Sequence, residues 1–380
     1  MGNCIHSRPE GITLFLPSLD GGGAERVFVQ LANAFGRFGL NVHLALAAVR
    51  GPYLQEVDAC VHIVDLGGGG VLRVLPSLSR HIKSARPVAI LSALDHANIV
   101  AIVANTMTRR NTRCVISTRS VPMAVYREAS FPRRHVLPFL MRATYRYADR
   151  VIANSRAVAM DLIEHFGVPQ ERVSVIYNPL DVDSIQRLGC ERVENRWLSE
   201  NETPLILGVG SLTALKDFPT LIRAFAKVRT TDACRLAILG EGPDRRKLEN
   251  LVAELALERH VHLPGFVRNP FAWMHRAAVL VSSSLTEGCP NVVMQALACG
   301  TPVVCTDCNG GSAEILEGGK WGALVPIRDP TTMAAAIVKS MHHEAGVDGR
   351  RRAADFSIDE VARAFVRELL PVDPTAVAEG

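Results

Sequence analysis

No apolar run in this 380-residue chain approaches the ~18 residues a spanning helix needs, which excludes an integral membrane protein built on such helices. Low-complexity and disordered bulk are missing too. Hydrophobic residues make up 48% and charged residues 21%, the proportions of a soluble globular protein. The apolar run from Ile12 to Leu16 has no basic segment before it, so it does not read as a signal peptide. The opening MGNCIHS departs from a myristoylation signal at His6, where Ser or Thr is wanted. Nine cysteines without regular spacing argue against a disulfide framework. Cys305-x-x-Cys308, with Cys289 and Cys299 nearby, reads as small buried cysteines in a reducing cytoplasm rather than a metal or redox site. His260 and His262 alternate on a strand with no further ligand at metal spacing, so no metal is expected.

What is present is alternation. Short β-branched runs recur between helical patterns, the signature of parallel sheets made of βαβ units, and the length suits two domains. Strands are expected at Ile12–Pro17, Val42–Ala47, Val61–Asp65, Val88–Leu91, Cys114–Thr118, Val151–Ala153 and Val173–Tyr177. Helices are expected at Ala24–Phe38, Ala97–Thr108 and Val158–Phe166. The pattern breaks after Asn178-Pro179 and restarts at Leu205, with strands at Leu236–Leu239, Val261–Leu263, Val279–Ser282, Val303–Cys305 and Ala323–Val325. This predicts an α/β protein with one domain over residues 1–185, a linker over 186–203, a second domain over 204–356, and a C-terminal helix and tail over 357–380. The final helix, about Ser357 to Leu370, is amphipathic and could pack on either half. Two such halves imply a cleft, and ligands of open α/β sheets collect at the carboxyl ends of strands.

The net charge of +4 conceals an asymmetry. Residues 109–150 hold ten arginines against Glu128 and Asp149, a local excess of +8, so the remainder sums to −4. Such a segment suits an anionic membrane surface or a phosphorylated acceptor. Nucleic acid is not expected, because no aromatics interleave the arginines in a stacking pattern.

Motifs stand at the predicted strand ends. In TEGCPNVVMQALACGTPVV, Thr286 to Val304, Glu287 follows a strand and a helix begins near Pro290. The amides of Asn291 and Val292 would then form an anion site at the positive helix end. A carboxylate beside that site can hold a sugar hydroxyl and a phosphate together. SLDGGGAERV places Gly22 and Gly23 at a strand-to-helix turn, where a ligand can approach the backbone. The spacing is not that of a dinucleotide fingerprint. In GVGSLTALKDFPTLIRAF, Lys216 could neutralise a diphosphate, and Asp217 reads as the N-cap of a helix after Pro219. LGEGPDRRKLE is a glycine turn feeding a charged helix, and HVHLPGFVRN ends a strand in a loop whose backbone could read the edge of a base.

Together these segments, with TDCNGGSAEIL and with VIANS and VIYNPLD in the first half, resemble the family 4 retaining glycosyltransferases over roughly residues 11–370. The resemblance implies the GT-B fold, two facing Rossmann-like domains with an interdomain cleft. It implies that Glu287 contacts donor-sugar hydroxyls and Lys216 the donor diphosphate. Gly22, Gly23, Asn291 and Val292 would line the phosphates, Phe266 and Val267 would present backbone to the base, and the pocket around Glu287 and Cys289 would select the sugar. No metal or other cofactor is implied, since cations and helix dipoles can stabilise the leaving group.

Three positions depart from the family pattern. Its second glutamate, on the ribose, is Gln295 here, which loses charge-assisted strength. Its arginine beside the lysine is Ser211. Its histidine after the fifth strand is replaced by Arg119, which stays protonated and cannot serve as a base. The expected function is transfer of a hexosyl or N-acetylhexosaminyl group from a UDP-sugar to a hydroxyl of a glycan or lipid-linked acceptor. Glu287, Lys216 and Arg119 are the catalytic candidates, and the site of action is the cytoplasm, at the inner face of the plasma membrane. Two alternatives stay open: a non-catalytic nucleotide-sugar-binding partner, and a nucleotide-sugar epimerase on the same plan.

Overall fold

Successive residues of the first-half strands pack into two different apolar layers, as the two faces of a buried parallel sheet require. Phe15, Ala45, Ile90 and Ile116 join one cluster, with Leu78, Ile82 and Val100 from helices. Their chain neighbours Leu14, Leu44, Leu91 and Val115 join another, with Phe28, Leu31 and Phe35. The computed structural model describes residues 11–109, 112–127, 130–131, 133–193, 195–199, 203–342 and 348–370. The expectations for MGNCIHS, for Arg110 and Glu128, and for residues 371–380 lie outside these.

The chain divides into two units, Met1–Pro179 with Ile358–Gly380, and Leu180–Ser357. In the first, β1 (Gly11–Leu16), β2 (Asn41–Leu46), β3 (Val61–Asp65), β4 (Ala89–Ala93), β5 (Arg113–Thr118), β6 (Arg150–Ala153) and β7 (Val173–Val175) form one sheet in the order β3-β2-β1-β4-β5-β6-β7. All its pairings are parallel. The strand order reverses beside β1, where the chain steps from β3 to β4, the switch point at which such sheets open for a ligand. The C-terminal helix Ile358–Leu369 packs on this unit through Val361, Ala362, Phe365 and Leu369. Its Glu368 is tied to Arg150 at 3.2 Å and accepts from Ser174 at 2.6 Å.

The second unit holds β8 (Leu205–Val209), β9 (Arg235–Leu239), β10 (Val261–Gly265), β11 (Val279–Ser282), β12 (Thr286–Glu287), β13 (Val303–Thr306), β14 (Asn309–Gly310) and β15 (Ala323–Val325). Six of them form a sheet in the order β10-β9-β8-β11-β13-β15, and β12 pairs with β14 in a separate parallel ladder. Ile206, Leu236, Val279 and Val304 pack against Leu221, Ile222, Phe225 and Met333. The segment read as a linker over 186–203 is partly ordered. Helix Val182–Gly189 is capped by Asp181, whose Oδ1 accepts from the Ser184 amide at 3.1 Å. Trp197 stacks on His262, with ring centroids 4.9 Å apart and planes within 10°, so His262 is held as a packed ring.

Three local expectations are corrected. Helix Phe218–Val228 begins one residue before Pro219, with Asp217 at its N-cap position as expected but on a left-handed backbone, φ 44°. Its carboxylate accepts from the Thr220 hydroxyl at 2.7 Å instead of from a helix amide. Pro290 is the N-cap residue of helix Asn291–Cys299 rather than its first helical residue. Within the arginine-rich segment, where helices were not foreseen, the chain forms Pro122–Arg127 and Arg133–Thr144.

His43, His62 and His81 meet on one face of the first sheet. The His43 and His62 rings lie 5.6 Å apart and those of His43 and His81 5.4 Å apart. Burial, with the neighbouring imidazole second, depresses His81 to about 4, and burial also lowers His43. A base depressed on folding binds its proton more readily in the unfolded chain, so stability falls as pH drops from ~6.5 towards the folded value. The thermal midpoint of the wild type should therefore fall relative to that of His81→Gln between pH ~6.5 and ~4, as read by calorimetry. A constant difference across that window would remove the histidine contribution.

Candidate functional site

Adjacent parallel strands deliver their following loops to the same edge of a sheet. Because β8 and β11 are neighbours, the turn Ala214–Lys216 and the segment that follows Ser282 meet there. Lys216 Nζ donates to Glu287 Oε1 in a close ion pair. The same oxygen accepts from Ser284 Oγ at 2.7 Å. The two loops are locked by backbone as well: Ser283 Oγ donates to the Lys216 carbonyl at 2.7 Å, and the Leu285 amide to the Leu215 carbonyl at 2.8 Å. Thr306 at the end of β13 anchors the Ser284 carbonyl at 2.6 Å. Both charged side chains are mostly covered, with 25% of Lys216 and 14% of Glu287 left to solvent. An ammonium has three donors, and Glu287 takes one, so the others remain for an incoming anion.

Gly310 completes this lock, and the sequence reading had not singled it out. Glu287 and Gly310 pair across the β12–β14 ladder. The Gly311 amide donates to the Gly288 carbonyl at 3.0 Å. A Cβ built on Gly310, at φ 151°, would fall 1.7 Å from the Glu287 carbonyl oxygen. The repeated glycines of TDCNGGSAEIL were the available signal, but only the fold shows which strand they approach.

Helix Asn291–Cys299 follows directly. The Val293 and Met294 amides are spent on the Pro290 carbonyl, at 3.0 and 3.2 Å. The Val292 N–H makes no hydrogen bond among the described residues. Gln295 lies one turn on and is partly exposed. Cys289 is buried, its thiol 3.4 Å from the Met294 sulfur. Burial pushes the Cys305 thiol up to about 12 and raises Cys308 as well, so neither is a ready thiolate at neutral pH. Among the described residues no group of three or more His, Cys, Asp or Glu side chains is placed to hold a metal.

Ser211 lies exposed in the loop after β8. Phe266 and Val267 follow β10 at the sheet edge, with the Phe266 ring 80% exposed. In the order β10-β9-β8-β11, three strand spacings of about 4.8 Å, roughly 14 Å in all, separate them from β11, whose following segment carries Glu287. A ligand touching both ends must be extended, with its middle over Lys216. The loops after β8 and β9 pack backbone against backbone beneath it, since a Cβ on Gly240 would fall 1.9 Å from the Gly210 carbonyl oxygen.

In the other unit, Gly22 caps helix Gly23–Arg37 in an exposed turn after β1. A Cβ on Gly22 would meet the Glu25 carboxylate at 2.2 Å. Arg26, on the first turn of that helix, has a buried Nε without a hydrogen-bond partner among the described residues. Arg119 follows β5, where its Nη2 donates to Asn178 Oδ1 at 2.6 Å and its carbonyl accepts from Asn154 Nδ2 at 2.9 Å. The VIANS and VIYNPLD motifs thus converge on one residue, the first on its backbone carbonyl and the second on its guanidinium.

Two family models match the chain: "Glycosyltransferase Family 4" over residues 21–184 and "Glycosyl transferases group 1" over residues 203–343. A Campylobacter jejuni protein is 30% identical over 373 residues, covering 94% of this chain and 98% of its own length. It is named N-acetylgalactosamine-N,N'-diacetylbacillosaminyl-diphospho-undecaprenol 4-alpha-N-acetylgalactosaminyltransferase. Among solved structures, a Rickettsia africae glycosyltransferase superposes with a TM-score of 0.78 at 16% identity, covering 96% of this chain and 100% of its own. Anabaena Alr3699/HepE, crystallised with UDP and glucose, gives 0.76 at 20% identity, covering 95% and 99%. At these identities the structures establish the fold, GT-B with two Rossmann-like domains.

Gly310→Ala should destabilise the protein by about 1–3 kcal/mol, since it combines backbone strain with a main-chain clash. Gly318→Ala, also at positive φ but with no neighbour within 4 Å, should cost about 1 kcal/mol. Denaturant unfolding compares the two, and equal costs would show that the Glu287 backbone yields freely.

Proposed function

Since the chain belongs to the family 4, group 1 glycosyltransferases, we propose that it transfers a hexosyl or N-acetylhexosaminyl group from a UDP-sugar, with retention, to a hydroxyl of a lipid-linked glycan acceptor in cell-surface polysaccharide or glycolipid synthesis. The observation that carries this reading is the Lys216–Glu287 pair, set at adjacent strand ends beside a helix N-terminus. As the anomeric carbon gains the acceptor oxygen, its bond to the diphosphate breaks and UDP leaves. The developing charge meets Lys216 and the first-turn amides at Asn291 and Val292. Glu287 accepts from sugar hydroxyls, Gln295 from a ribose hydroxyl, and the backbone at Phe266 and Val267 borders the base. On the first unit, Arg119 offers its guanidinium to an anionic group of the acceptor. These groups supply the charge stabilisation that a divalent ion would otherwise give, so transfer should proceed in chelator. The Campylobacter relative's name supports an undecaprenyl-diphosphate-linked glycan as the first acceptor to test and UDP-N-acetylgalactosamine as the first donor.

A second partner of this reading is the anionic inner face of the plasma membrane. No described helix is long and apolar enough to cross a bilayer. Helix Arg133–Thr144 nevertheless presents Val136 and Phe139 outward, the latter 69% exposed, beside Phe131 at 79%. Arg127, Arg133 and Arg134 are exposed around them and form no ion pair among the described residues, while Arg142 donates to the His165 carbonyl and lies over the Phe166 ring. Apolar rings ringed by unpaired cations suit insertion among anionic headgroups.

Lys216→Ala and Glu287→Ala should each lower kcat by about 10²–10³ in a radiolabelled transfer assay. Gln295→Glu should tighten donor binding by restoring a charged acceptor on the ribose. Product analysis without acceptor separates an epimerase, and absent turnover with intact UDP-sugar binding would indicate a non-catalytic partner. Cosedimentation with phosphatidylcholine vesicles containing phosphatidylglycerol should weaken about fivefold on Arg134→Gln, and also on Phe139→Ser. Equal binding to vesicles lacking phosphatidylglycerol would count against the membrane contact.

A further inference from the structure

A carboxylate outside every motif described so far joins the arginine-bearing helices to the surroundings of Arg119. Asp95 opens helix Asp95–Thr108 at the carboxyl end of β4, directly after Leu94 at φ 74°. Its carboxyl group is enclosed, while the residue as a whole keeps some contact with solvent. Oδ2 accepts from the Tyr126 hydroxyl at 2.6 Å, on helix Pro122–Arg127. Oδ1 accepts from the Tyr145 hydroxyl at 3.0 Å, in the turn that follows helix Arg133–Thr144. Both tyrosines are buried.

The network continues from Tyr145. Its hydroxyl accepts from Asn98 Nδ2 at 3.2 Å, and the same amide group donates to the Ser117 carbonyl at 3.0 Å. Asn98 Oδ1 accepts from Ser92 Oγ at 2.8 Å. The Ser117 hydroxyl then accepts from Arg119 Nη1 at 3.4 Å. One carboxylate therefore pins the first of the two arginine-bearing helices and the exit of the second, and its hydrogen bonds run on beneath the Arg119 guanidinium.

Packing alone does not call for a charge here. Two phenylalanines and an apolar partner would fill the same space without the desolvation cost of an enclosed carboxylate. Desolvation does raise the Asp95 pKa, against the opposing pull of both tyrosine hydroxyls and of His96 and Arg133 nearby. What the charge supplies is direction, since each oxygen fixes one hydroxyl and each hydroxyl fixes one element.

We propose that Asp95 is a positioning residue for the acceptor side of the transfer, holding the two arginine-bearing helices and Arg119 in register without touching substrate itself. This deepens the glycosyl-transfer reading above and rests on it.

Asp95→Asn replaces one acceptor oxygen by an amide nitrogen that cannot accept, so one tyrosine hydroxyl loses its partner. Tyr126→Phe removes the same bond from the other side while keeping the ring packed. With UDP-N-acetylgalactosamine and an undecaprenyl-diphosphate-linked glycan, both variants should raise acceptor KM about tenfold, the scale of a lost charged hydrogen bond. Donor KM and thermal protection by UDP should stay at wild-type values. The double variant should be no worse than Asp95→Asn alone. A lowered thermal midpoint with unchanged acceptor KM, or equal loss of donor and acceptor saturation, would overturn the proposal. Amide hydrogen exchange reads the same point without turnover: residues 119–144 should exchange faster in both variants, with the Lys216 and Glu287 segments unaltered. Unchanged exchange there would overturn the positioning role. A wild type that transfers nothing would instead overturn the assigned reaction.

Discussion

The Lys216–Glu287 ion pair is the contact on which the second unit's site depends, and it follows from strand order. β8 and β11 lie side by side though about 70 residues apart in the chain, so the loops after them must share one edge of the sheet. Opposite charges on those loops then close on each other, and hydroxyls from Ser283, Ser284 and Thr306 fix the backbone around them. A mostly covered carboxylate would be costly alone. With an ammonium and a hydroxyl on one oxygen it is satisfied, and its second oxygen stays available to a hydroxyl ligand. The pair also keeps the lysine extended towards the strand ends, so little of its rotamer freedom remains to be lost when an anion arrives.

Much of this was legible in the chain because parallel strands buried on both faces announce themselves as short β-branched runs. Every strand of the two large sheets falls where such a run was read, among them Val42–Ala47, observed as Asn41–Leu46, and Val279–Ser282 itself. Glu287, Lys216 and the helix after Pro290 were legible for a second reason. Each stands next to a strong strand signal, so the side-by-side ends follow once the sheet is assumed. Helix Arg133–Thr144 was not legible: Pro138 sits inside it and arginines occupy its outward turns, which hides the apolar period of Leu137 and Met141. The β12–β14 ladder was out of reach because two-residue strands carry no period at all. Asp217 was legible as the cap residue, but its bond was not: the left-handed backbone turns the carboxylate to the Thr220 hydroxyl rather than to a helix amide.

The departures from the family pattern have different physical weights. Arg119, standing where the pattern has histidine, is tied to Asn178, with Asn154 on its carbonyl and Ser117 beneath it. A planar guanidinium held by neutral acceptors keeps its full charge, so this position can steady an anion but cannot take up a proton. Ser211 is exposed in its loop, and nothing in the structure explains the exchange. Gln295 keeps an acceptor oxygen but gives up the charge-assisted strength a carboxylate would bring to a hydroxyl donor.

The two units build the surroundings of Lys216 and of Arg119 by different means. Around Lys216 and Glu287 the scaffold is backbone against backbone, with Gly240 and Gly310 allowing approaches that any side chain would block. Main-chain packing of this kind fixes positions and leaves amides available to an anion, which needs charge more than shape. Around Arg119 the scaffold is a side-chain network, Asp95 to Tyr145 to Asn98 to Ser117. Such a network can be retuned one residue at a time without disturbing a strand. Under the proposed reaction the first unit receives the acceptor, so specificity can change there while the main-chain scaffold around Lys216 stays as it is.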